Sequence, residues 1–429
     1  MSLRDRFCPS PWMHMRIDSQ GDFHYCRWAN EKQQPSNANI SNSSPITWFQ
    51  KNMSLARQSM LDGDGVSTCS PCWIMEQHGK VSGRQRQLLK IGVMAGDFEK
   101  SLLSSPWLKK FEYSGKNSGD TDQWPQDWQI DLGNYCNSAC VFCNPLQSSR
   151  LATEFKKLKL IDSLPPNSWC DDHDNIEKFV DVLARSPKLS YLHFLGGETL
   201  ITPGFARILR SLIDRGINQD ITIGFTTNLT VWNQDIIDML IQFRKVNLGM
   251  SLECLHPLND YVRYGSEIGA VETIMEKWIA LGEMHAWSLQ LRVTPSIFSI
   301  YYLDTIYEYA ISHGVSVESC NFLEDPVFMK PSVLPRKHRD LVMGRLRRFI
   351  DKHWLPDQDQ VINTRHRDRH HRQILQDAQS YLDYLTNRSD ESHLLPDLVR
   401  FIKLLESNRN NSILDYLPEY EDFLRSAGY

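Results

Sequence analysis

No apolar run of about eighteen residues, the length that spans a bilayer, occurs in the 429-residue sequence. The amino terminus, Met1-Ser-Leu-Arg-Asp-Arg-Phe7, also lacks the apolar core of a secretory signal. No membrane partner is expected, and the expected location is the cytoplasm. An excess of one charge is missing too. With 47 Lys and Arg against 52 Asp and Glu, the net charge is −5, which argues against a generally basic surface and against specific nucleic-acid binding. The chain is 41% hydrophobic and 23% charged, so it should fold, and it is long enough for two or three domains with their own cores. Cysteine is not scarce. Ten are present, and in a reducing compartment they are expected as metal ligands rather than disulfides.

Three of them stand in Tyr135-Cys-Asn-Ser-Ala-Cys-Val-Phe-Cys-Asn144, where Cys136, Cys140 and Cys143 form a C-x3-C-x2-C triplet. The triplet follows a strand-like segment, Trp128-Gln-Ile-Asp-Leu132. Iron-sulfur clusters are normally closed by four cysteines, and structural zinc also takes four ligands. Three thiolates on one short loop can hold three irons of a cubic cluster and leave the fourth open to an external ligand. A zinc knuckle that borrows a His or a distant Cys is the competing reading.

A second set lies ahead of the first: Cys8 in Cys-Pro-Ser-Pro-Trp12, Cys26 in Phe23-His-Tyr-Cys-Arg27, and Cys69 with Cys72 in Cys69-Ser-Pro-Cys-Trp73. Four cysteines make a closed site. Trp12 to Arg16 and Asp22 to Cys26 flank Ser19-Gln20-Gly21 and read as a hairpin, which would return Cys26 toward Cys8. The stretch Ile46 to Leu61 reads as a helix that delivers the C-x2-C pair to the same end. Such a set suits a cluster or a structural zinc.

From about Trp124 to Leu323, short apolar runs alternate with longer amphipathic ones, the pattern of βα units around a parallel sheet. The expected strands are Trp128–Leu132, Tyr191–Phe194, Ile221–Phe225, Asn247–Leu252, Ser288–Val293 and Val315–Glu318. The expected helices are Asn175–Ser186, Pro203–Arg215, Asn233–Phe243, Ala270–Leu281 and Leu303–His313, with Gly216 and Gly314 as caps. Beyond Pro331 only helical stretches remain, Lys337–Trp354, His371–Thr386 and Pro396–Glu406, followed by a docking helix over Asp415–Phe423. The segment Arg365-His-Arg-Asp-Arg-His-His-Arg372 reads as a solvated helix face or as a surface for an acidic partner.

These motifs resemble the radical S-adenosylmethionine (SAM) superfamily, whose signature is this cysteine spacing with an aromatic residue before the last cysteine, here Phe142. The resemblance implies an α/β fold, a partial (β/α)6 TIM-like barrel, over residues 121–330. It implies a [4Fe-4S] cluster on Cys136, Cys140 and Cys143, with SAM chelating the fourth iron and giving a 5′-deoxyadenosyl radical. Leu195-Gly-Gly-Glu-Thr199 matches the family's Gly-Gly-Glu, so Gly196, Gly197 and Glu198 are expected to receive the SAM amino group. Thr226-Thr-Asn-Leu229 is similar to the family's Thr-Asn-Gly, with Leu229 replacing glycine, which implies Asn228 as a cofactor-site residue. Ser251 and Glu253, in Met250-Ser-Leu-Glu-Cys254, and Arg263, in Asp260-Tyr-Val-Arg263, are implied SAM contacts, and Phe142 is expected near the adenine.

The four earlier cysteines resemble those of the twitch domain, a shortened SPASM domain that binds one auxiliary [4Fe-4S] cluster. In most such enzymes it follows the barrel, whereas here it would be a small amino-terminal domain, residues 1–120. Residues 331–429 would then form a helical tail. The resemblance implies two [4Fe-4S] clusters, SAM, a reductant such as flavodoxin or ferredoxin, and a peptide, protein or small alcohol or sugar as substrate. Cys254, at the mouth of the implied barrel, is a candidate hydrogen donor. Cys170 lies in a polar loop as a reactive or unused thiol, and Cys320 is expected to be a small buried apolar residue. Asp171 to Asp174 could hold a divalent metal or cap the next helix. The reading from another class is a non-enzymatic zinc-binding interaction protein on a degenerate barrel.

Overall fold

The computed structural model describes residues 3–29, 38–77, 81–319, 322–323, 325–354 and 366–429. Cys320 and Arg365 lie outside them. The strands are β1 (His14–Ile17), β2 (Phe23–His24), β3 (Asp127–Asp131), β4 (Ala139–Cys140), β5 (Tyr191–Leu195), β6 (Thr222–Thr227), β7 (Lys245–Ser251), β8 (Arg263–Tyr264), β9 (Ser288–Val293) and β10 (Ser316–Ser319). The chain divides into two compact units. One comprises Met1–Tyr135, Pro166–Phe225 and Asn233–Val246; the other comprises Cys136–Pro165, Thr226–Trp232 and Asn247–Tyr429.

In the first unit the strands lie in the order β6-β5-β3-β1-β2, and all but β2 run parallel. Side chains alternate between faces along a strand, so Trp128, Ile130, Leu192 and Phe194 share one side. That side packs on the helices His173–Ala184 and Pro203–Asp214. Trp128 meets Phe179 at 5.4 Å between ring centroids, and Phe194 meets Phe205 at 4.9 Å. Full burial of one such ring stabilises by about 2–3 kcal/mol, which fixes which face of the sheet the helices cover. The hairpin around Gly21 forms as expected, with Arg16 opposite His24. A further pairing has no signal in the sequence. β1 also runs parallel to β3, so that His14 meets Asp127, 113 residues on. The expected helix over Ile46–Leu61 is interrupted by a π turn, Trp48–Asn52. Fully buried Arg57 takes up backbone carbonyls there, with Nε on the Pro11 oxygen at 2.8 Å and Nη1 on those of Gln50 and Gly119, both at 3.1 Å.

In the second unit β7, β9 and β10 are parallel, with β9 in the middle, and β4 pairs antiparallel with β8. The strand Ser288–Val293 and the helix Leu303–His313 fall at the expected bounds, and Gly314 closes that helix at φ 64°. The carboxyl-terminal helices are Arg336–His353, His366–Asn387 and Leu395–Arg409. The expected docking helix over Asp415–Phe423 is instead two 3-10 turns, Ile413–Asp415 and Pro418–Tyr420, leading into the helix Glu421–Ser426. Pro418 lacks an N–H and would break a continuous helix. Buried Tyr420 then donates to the Ile297 carbonyl at 2.8 Å. No helix among the described residues is long and apolar enough to cross a membrane.

Candidate functional site

Cys140 ends β4, and its register partner on β8 is Arg263. Ser148 and Ser149 brace the loop. The Ser138 carbonyl accepts from Ser148 Oγ at 2.6 Å, and the Cys136 N–H donates to Ser149 Oγ at 3.2 Å. Burial pushes the Cys140 thiol up, and burial together with the neighbouring Cys140 and Cys136 pushes the Cys143 thiol up to about 12. Cys140 and Cys136 thus both bear on the charge of Cys143, in surroundings that disfavour thiolates unless a cation is present. Two guanidinium groups offset that bias. Arg263 and Arg409 both lie close enough to Cys140 to favour its charged form.

Arg263 is held in place by Glu253. Its Nη1 lies 2.9 Å from Glu253 Oε1, while Oε2 accepts the Thr294 N–H at 3.0 Å. Burial raises the Glu253 carboxyl to about 7 despite the Arg263 charge. The expected pairing of Arg263 with a ligand carboxylate thus meets a guanidinium already engaged by Glu253.

The second guanidinium comes from the carboxyl-terminal region, and no motif in the sequence points to it. Arg409, at the end of the helix Leu395–Arg409, binds both oxygens of Glu154, at 2.6 and 2.9 Å, and donates to the Ala139 carbonyl inside the cysteine loop at 2.8 Å. Its guanidinium also lies 4.5 Å from the Tyr264 ring, whose residue is paired with Ala139. The pair is deeply buried, with the Arg409 side chain 1% exposed. Replacing Arg409 by Gln strands a buried carboxylate and is expected to cost about 3 kcal/mol of unfolding free energy. The double variant with Glu154→Gln should recover part of that loss, and denaturant unfolding measures both.

Asn228 belongs to the same group of residues. Its amide nitrogen donates to Asn137 Oδ1 at 2.9 Å and to Ser138 Oγ at 3.1 Å, and its oxygen accepts the Thr230 N–H at 3.0 Å. Asn228 thereby ties the loop after β6 to the cysteine loop. The next residue, Leu229, sits at φ 62°, a left-handed conformation that glycine adopts without strain. Ser251 ends β7 opposite Arg292, and Phe142 is half-buried.

The Gly-Gly-Glu segment lies in the first unit, at the end of β5. Gly196 has φ 100°, and a Cβ on it would lie 2.4 Å from the Gly133 carbonyl oxygen. Gly197 has φ 53°, and a Cβ there would lie 2.0 Å from the Tyr135 carbonyl oxygen. No side chain fits at either place without moving backbone. Glu198 is fully buried; its N–H donates to the Tyr135 carbonyl at 2.7 Å and its carboxylate accepts the Leu200 N–H at 3.1 Å. Gly197→Ala is expected to lower the unfolding free energy by about 2 kcal/mol, since a Cβ forces the backbone to shift at a left-handed position. Denaturant unfolding checks it.

The four amino-terminal cysteines come together. Cys8, Cys26, Cys69 and Cys72 line one small cavity of about 10 Å³ with Tyr25 and Arg84. Burial pushes Cys8 up to about 11 and Cys26 up to about 12, and it raises Cys69 and Cys72 as well. Hydrogen bonds already aim at the sulfurs. The Trp28 N–H reaches Cys26 Sγ at 3.4 Å, and the N–H groups of Gly83 and Arg84, opening the helix Gly83–Lys90, donate to Cys72. A Cβ on Gly83 would lie 2.3 Å from the Trp28 ring. Arg84 is fixed by Glu76 at 2.5 and 2.9 Å and by the Phe7 carbonyl at 3.2 Å. No group of three or more His, Cys, Asp or Glu side chains closes on a single metal ion among the described residues.

The structure places three other candidates. Cys254 is fully buried; its thiol faces the His256 carbonyl at 3.7 Å, and burial pushes its pKa upward. Cys170 does not lie in an open polar loop. It packs beside Gly204 and donates to the Leu132 carbonyl at 3.0 Å, because Trp169 and the adjoining turn fold inward. Asp171 and Asp172 are caps: Asp171 accepts the Ser168 N–H at 3.0 Å, and Asp172 accepts the Asp174 N–H at 2.8 Å, opening the helix His173–Ala184.

Residues 130–282 match the family model described as the radical SAM superfamily. The matched segment contains Cys136, Cys140 and Cys143 and every residue from Gly196 to Arg263 described above. No protein of curated function matches the sequence. Among solved structures, SuiB of Streptococcus suis bound to S-adenosylmethionine is 14% identical, with 81% of this chain and 71% of that chain covered and a TM-score of 0.38. SuiB bound to the precursor peptide SuiA gives 14% identity, 81% and 69% coverage and a TM-score of 0.34. The anSMEcpe structure with bound AdoMet gives 15%, 52% and 58%, and 0.38.

Proposed function

We propose that this chain is a radical SAM enzyme that carries two [4Fe-4S] clusters with different tasks. Cys136, Cys140 and Cys143 hold the catalytic one, Asn228, Ser251, Glu253, Arg263 and Phe142 are SAM contacts in this proposal, and Gly196, Gly197 and Glu198 are assigned to SAM by their match to the family's Gly-Gly-Glu. The observation that supports this reading most is the cysteine triplet with buried Cys140 at its middle and two guanidiniums bearing on its charge, inside the segment that matches the family. The bound cluster and SAM supply a 5′-deoxyadenosyl radical, which removes a hydrogen atom from the substrate.

The residues around the triplet set the charge and access of that site. Arg263 and Arg409 lower the cost of gathering three thiolates in a buried place. Glu253 keeps the Arg263 fork in a fixed plane, and Asn228 and Arg409 hold the loop from its two sides. The reading keeps the implied partial (β/α)6 barrel, with its chemistry at the carboxyl ends of the strands.

Cys8, Cys26, Cys69 and Cys72 hold the auxiliary cluster in this proposal, in a twitch-like amino-terminal domain. A C-x2-C pair with two separated cysteines suits zinc equally well, and the cysteine triplet downstream, inside the segment that matches the family, is what favours a cluster here. Because its four ligands are all protein thiolates, this cluster carries electrons or orders the substrate site. Flavodoxin or ferredoxin is the expected electron donor, and the location is cytoplasmic. The substrate is a peptide or protein, or a small alcohol or sugar. Buried Cys254 is the candidate hydrogen donor, and its replacement by Ala should abolish product while leaving SAM cleavage if the reaction ends in hydrogen return.

Anaerobic reconstitution followed by metal analysis tests the two-cluster reading. About eight irons with matching sulfide per chain are expected, the sum of two four-iron clusters. Zinc in the four-cysteine site with only about four irons removes the auxiliary cluster from the account.

A further inference from the structure

The strands that carry Cys140 and Arg263 are short. β4 and β8 pair over two residues each, with one bond beyond them, from the Val141 N–H to the Val262 carbonyl at 2.8 Å. A two-stranded pairing of this length is marginal on its own, so its register has to be held from outside. The helix Leu395–Arg409 supplies that hold.

Leu398, Val399, Ile402 and Leu405 are buried and seat the helix by apolar contact. Two polar side chains reach further. Glu406 and Arg409 stand three residues apart, on one face of the helix, and each takes one strand of the ladder. Arg409 takes β4 by the Ala139 carbonyl at 2.8 Å, while Glu154 holds its guanidinium by two bonds. Glu406 takes β8 one step removed. Its Oε1 accepts from Tyr261 Oη at 3.0 Å, and Tyr261, 2% exposed, lies in the helix Leu258–Val262 that runs directly into Arg263 and β8.

Glu406 is itself fixed. Oε1 also accepts the Ile413 N–H at 2.6 Å, and Oε2 accepts from Tyr429 Oη at 2.7 Å. Asn410, at φ 54°, closes the helix and turns the chain so that Ile413 comes back onto Glu406. The Lys403 ammonium donates to the Gly428 carbonyl at 2.8 Å, which keeps Tyr429 beside the helix. A buried ion pair such as Arg409–Glu154 gains little net stability over apolar residues of the same volume, and the apolar face already seats the helix. The polar contacts add position. Cys140 and Arg263 are register partners, so the two contacts fix where the guanidinium stands relative to the sulfur.

We infer that the helix Leu395–Arg409 is a clamp on the cysteine loop, in which Arg409 holds the Cys140 strand and Glu406, locked by Tyr429, holds the Arg263 strand through Tyr261. The inference rests on the radical SAM reading above, and it gives the carboxyl-terminal region a task in that site. Glu406, Tyr261 and Tyr429 are positioning residues in it. A positive charge nearby favours the reduced state of a cluster, so holding Arg263 at Cys140, whose charged form it favours, raises the reduction potential of a cluster bound by the triplet.

The test is Tyr261→Phe in the full chain. It deletes the hydroxyl that links Glu406 to β8 and keeps the ring contacts with Phe298 and Tyr416. Hydrogen exchange of the Val141 amide, read before and after anaerobic reconstitution, is expected to be about fivefold faster than in the native chain, the effect of one hydrogen bond. Exchange in β9 should stay unchanged. Iron content should also be unchanged, and the cluster whose EPR signal responds to SAM should have a more negative reduction potential. Tyr429→Phe, at a partly exposed position, should shift exchange and potential in the same directions, and it carries the test if Tyr261→Phe fails to fold. Unchanged exchange at Val141, an acceleration shared with β9, or an unchanged potential overturns the inference. A native chain that binds no iron-sulfur cluster and forms no 5′-deoxyadenosine ends the radical SAM reading and the inference with it. A native chain that does both, with variants that match it in exchange and potential, ends the inference alone.

Discussion

Replacing Cys140 by alanine is expected to reduce SAM cleavage to background and to halve the iron, from about eight to about four atoms per chain. Cys140 lies at the centre of its site in three respects. It is the middle cysteine of the triplet proposed to hold the cluster, it pairs across β4 and β8 with Arg263, and both guanidiniums bear on its charge. Two remaining thiolates on a short loop cannot close three corners of a cube, so the catalytic cluster should be lost as a whole. The fold should survive. A buried cysteine packs as a small apolar residue, and alanine keeps β4, the Arg409 contact to Ala139 and the Glu253–Arg263 pair. Iron and sulfide analysis with chromatography of 5′-deoxyadenosine measures the effect, and the four irons that remain should report the other site unchanged. Persistent SAM cleavage in this variant would remove the triplet from the chemistry.

The second large effect is expected at Cys72. Alanine there should again remove about four irons per chain, but from the amino-terminal cavity, and SAM cleavage should continue while substrate turnover stops. Cys72 is chosen because its environment is already arranged for a thiolate. The N–H groups of Gly83 and Arg84 donate to it, and Arg84 is locked by Glu76 and the Phe7 carbonyl. Hydrogen bonds and positive charge of this kind favour the ionised sulfur over the neutral thiol that burial would impose. Metal binding that rests on a cavity in the folded chain also stabilises it, so the native chain should unfold at higher denaturant than Cys72→Ala, and the difference should vanish when both are stripped of metal. A Cys72→Ala chain that retains both its iron and its stability would contradict the four-cysteine site.

The contrast between what was legible in the sequence and what was not follows from the range of the interactions. The cysteine triplet and Gly196-Gly-Glu198 were readable because their constraints are local: ligands on one loop need fixed spacing, and backbone at φ 100° and 53° admits only glycine without strain. The strand Ser288–Val293 and the helix Leu303–His313 were readable from apolar periodicity and from Gly314. The hairpin at Gly21 was readable from its turn. The parallel partner of β1 was not, because nothing in His14–Ile17 names Asp127–Asp131 as its neighbour. Arg409 was hidden for the same reason, since a basic residue at the end of a helix carries no sign that it will bind Glu154 and the Ala139 carbonyl. Arg263 was singled out, yet its engagement by Glu253 depended on the turn between them. Cys170 read as a loop thiol because Asn167-Ser-Trp-Cys-Asp171 is polar, whereas burial of Trp169 draws it inward.

The most direct measurement is the fate of SAM. The reconstituted full chain, reduced anaerobically with dithionite, is predicted to convert SAM to methionine and 5′-deoxyadenosine in equal amounts, and to lose that conversion in Cys140→Ala. Intact SAM after reduction, with about two zinc ions and no sulfide per chain, would contradict the account and leave a metal-binding interaction protein in its place.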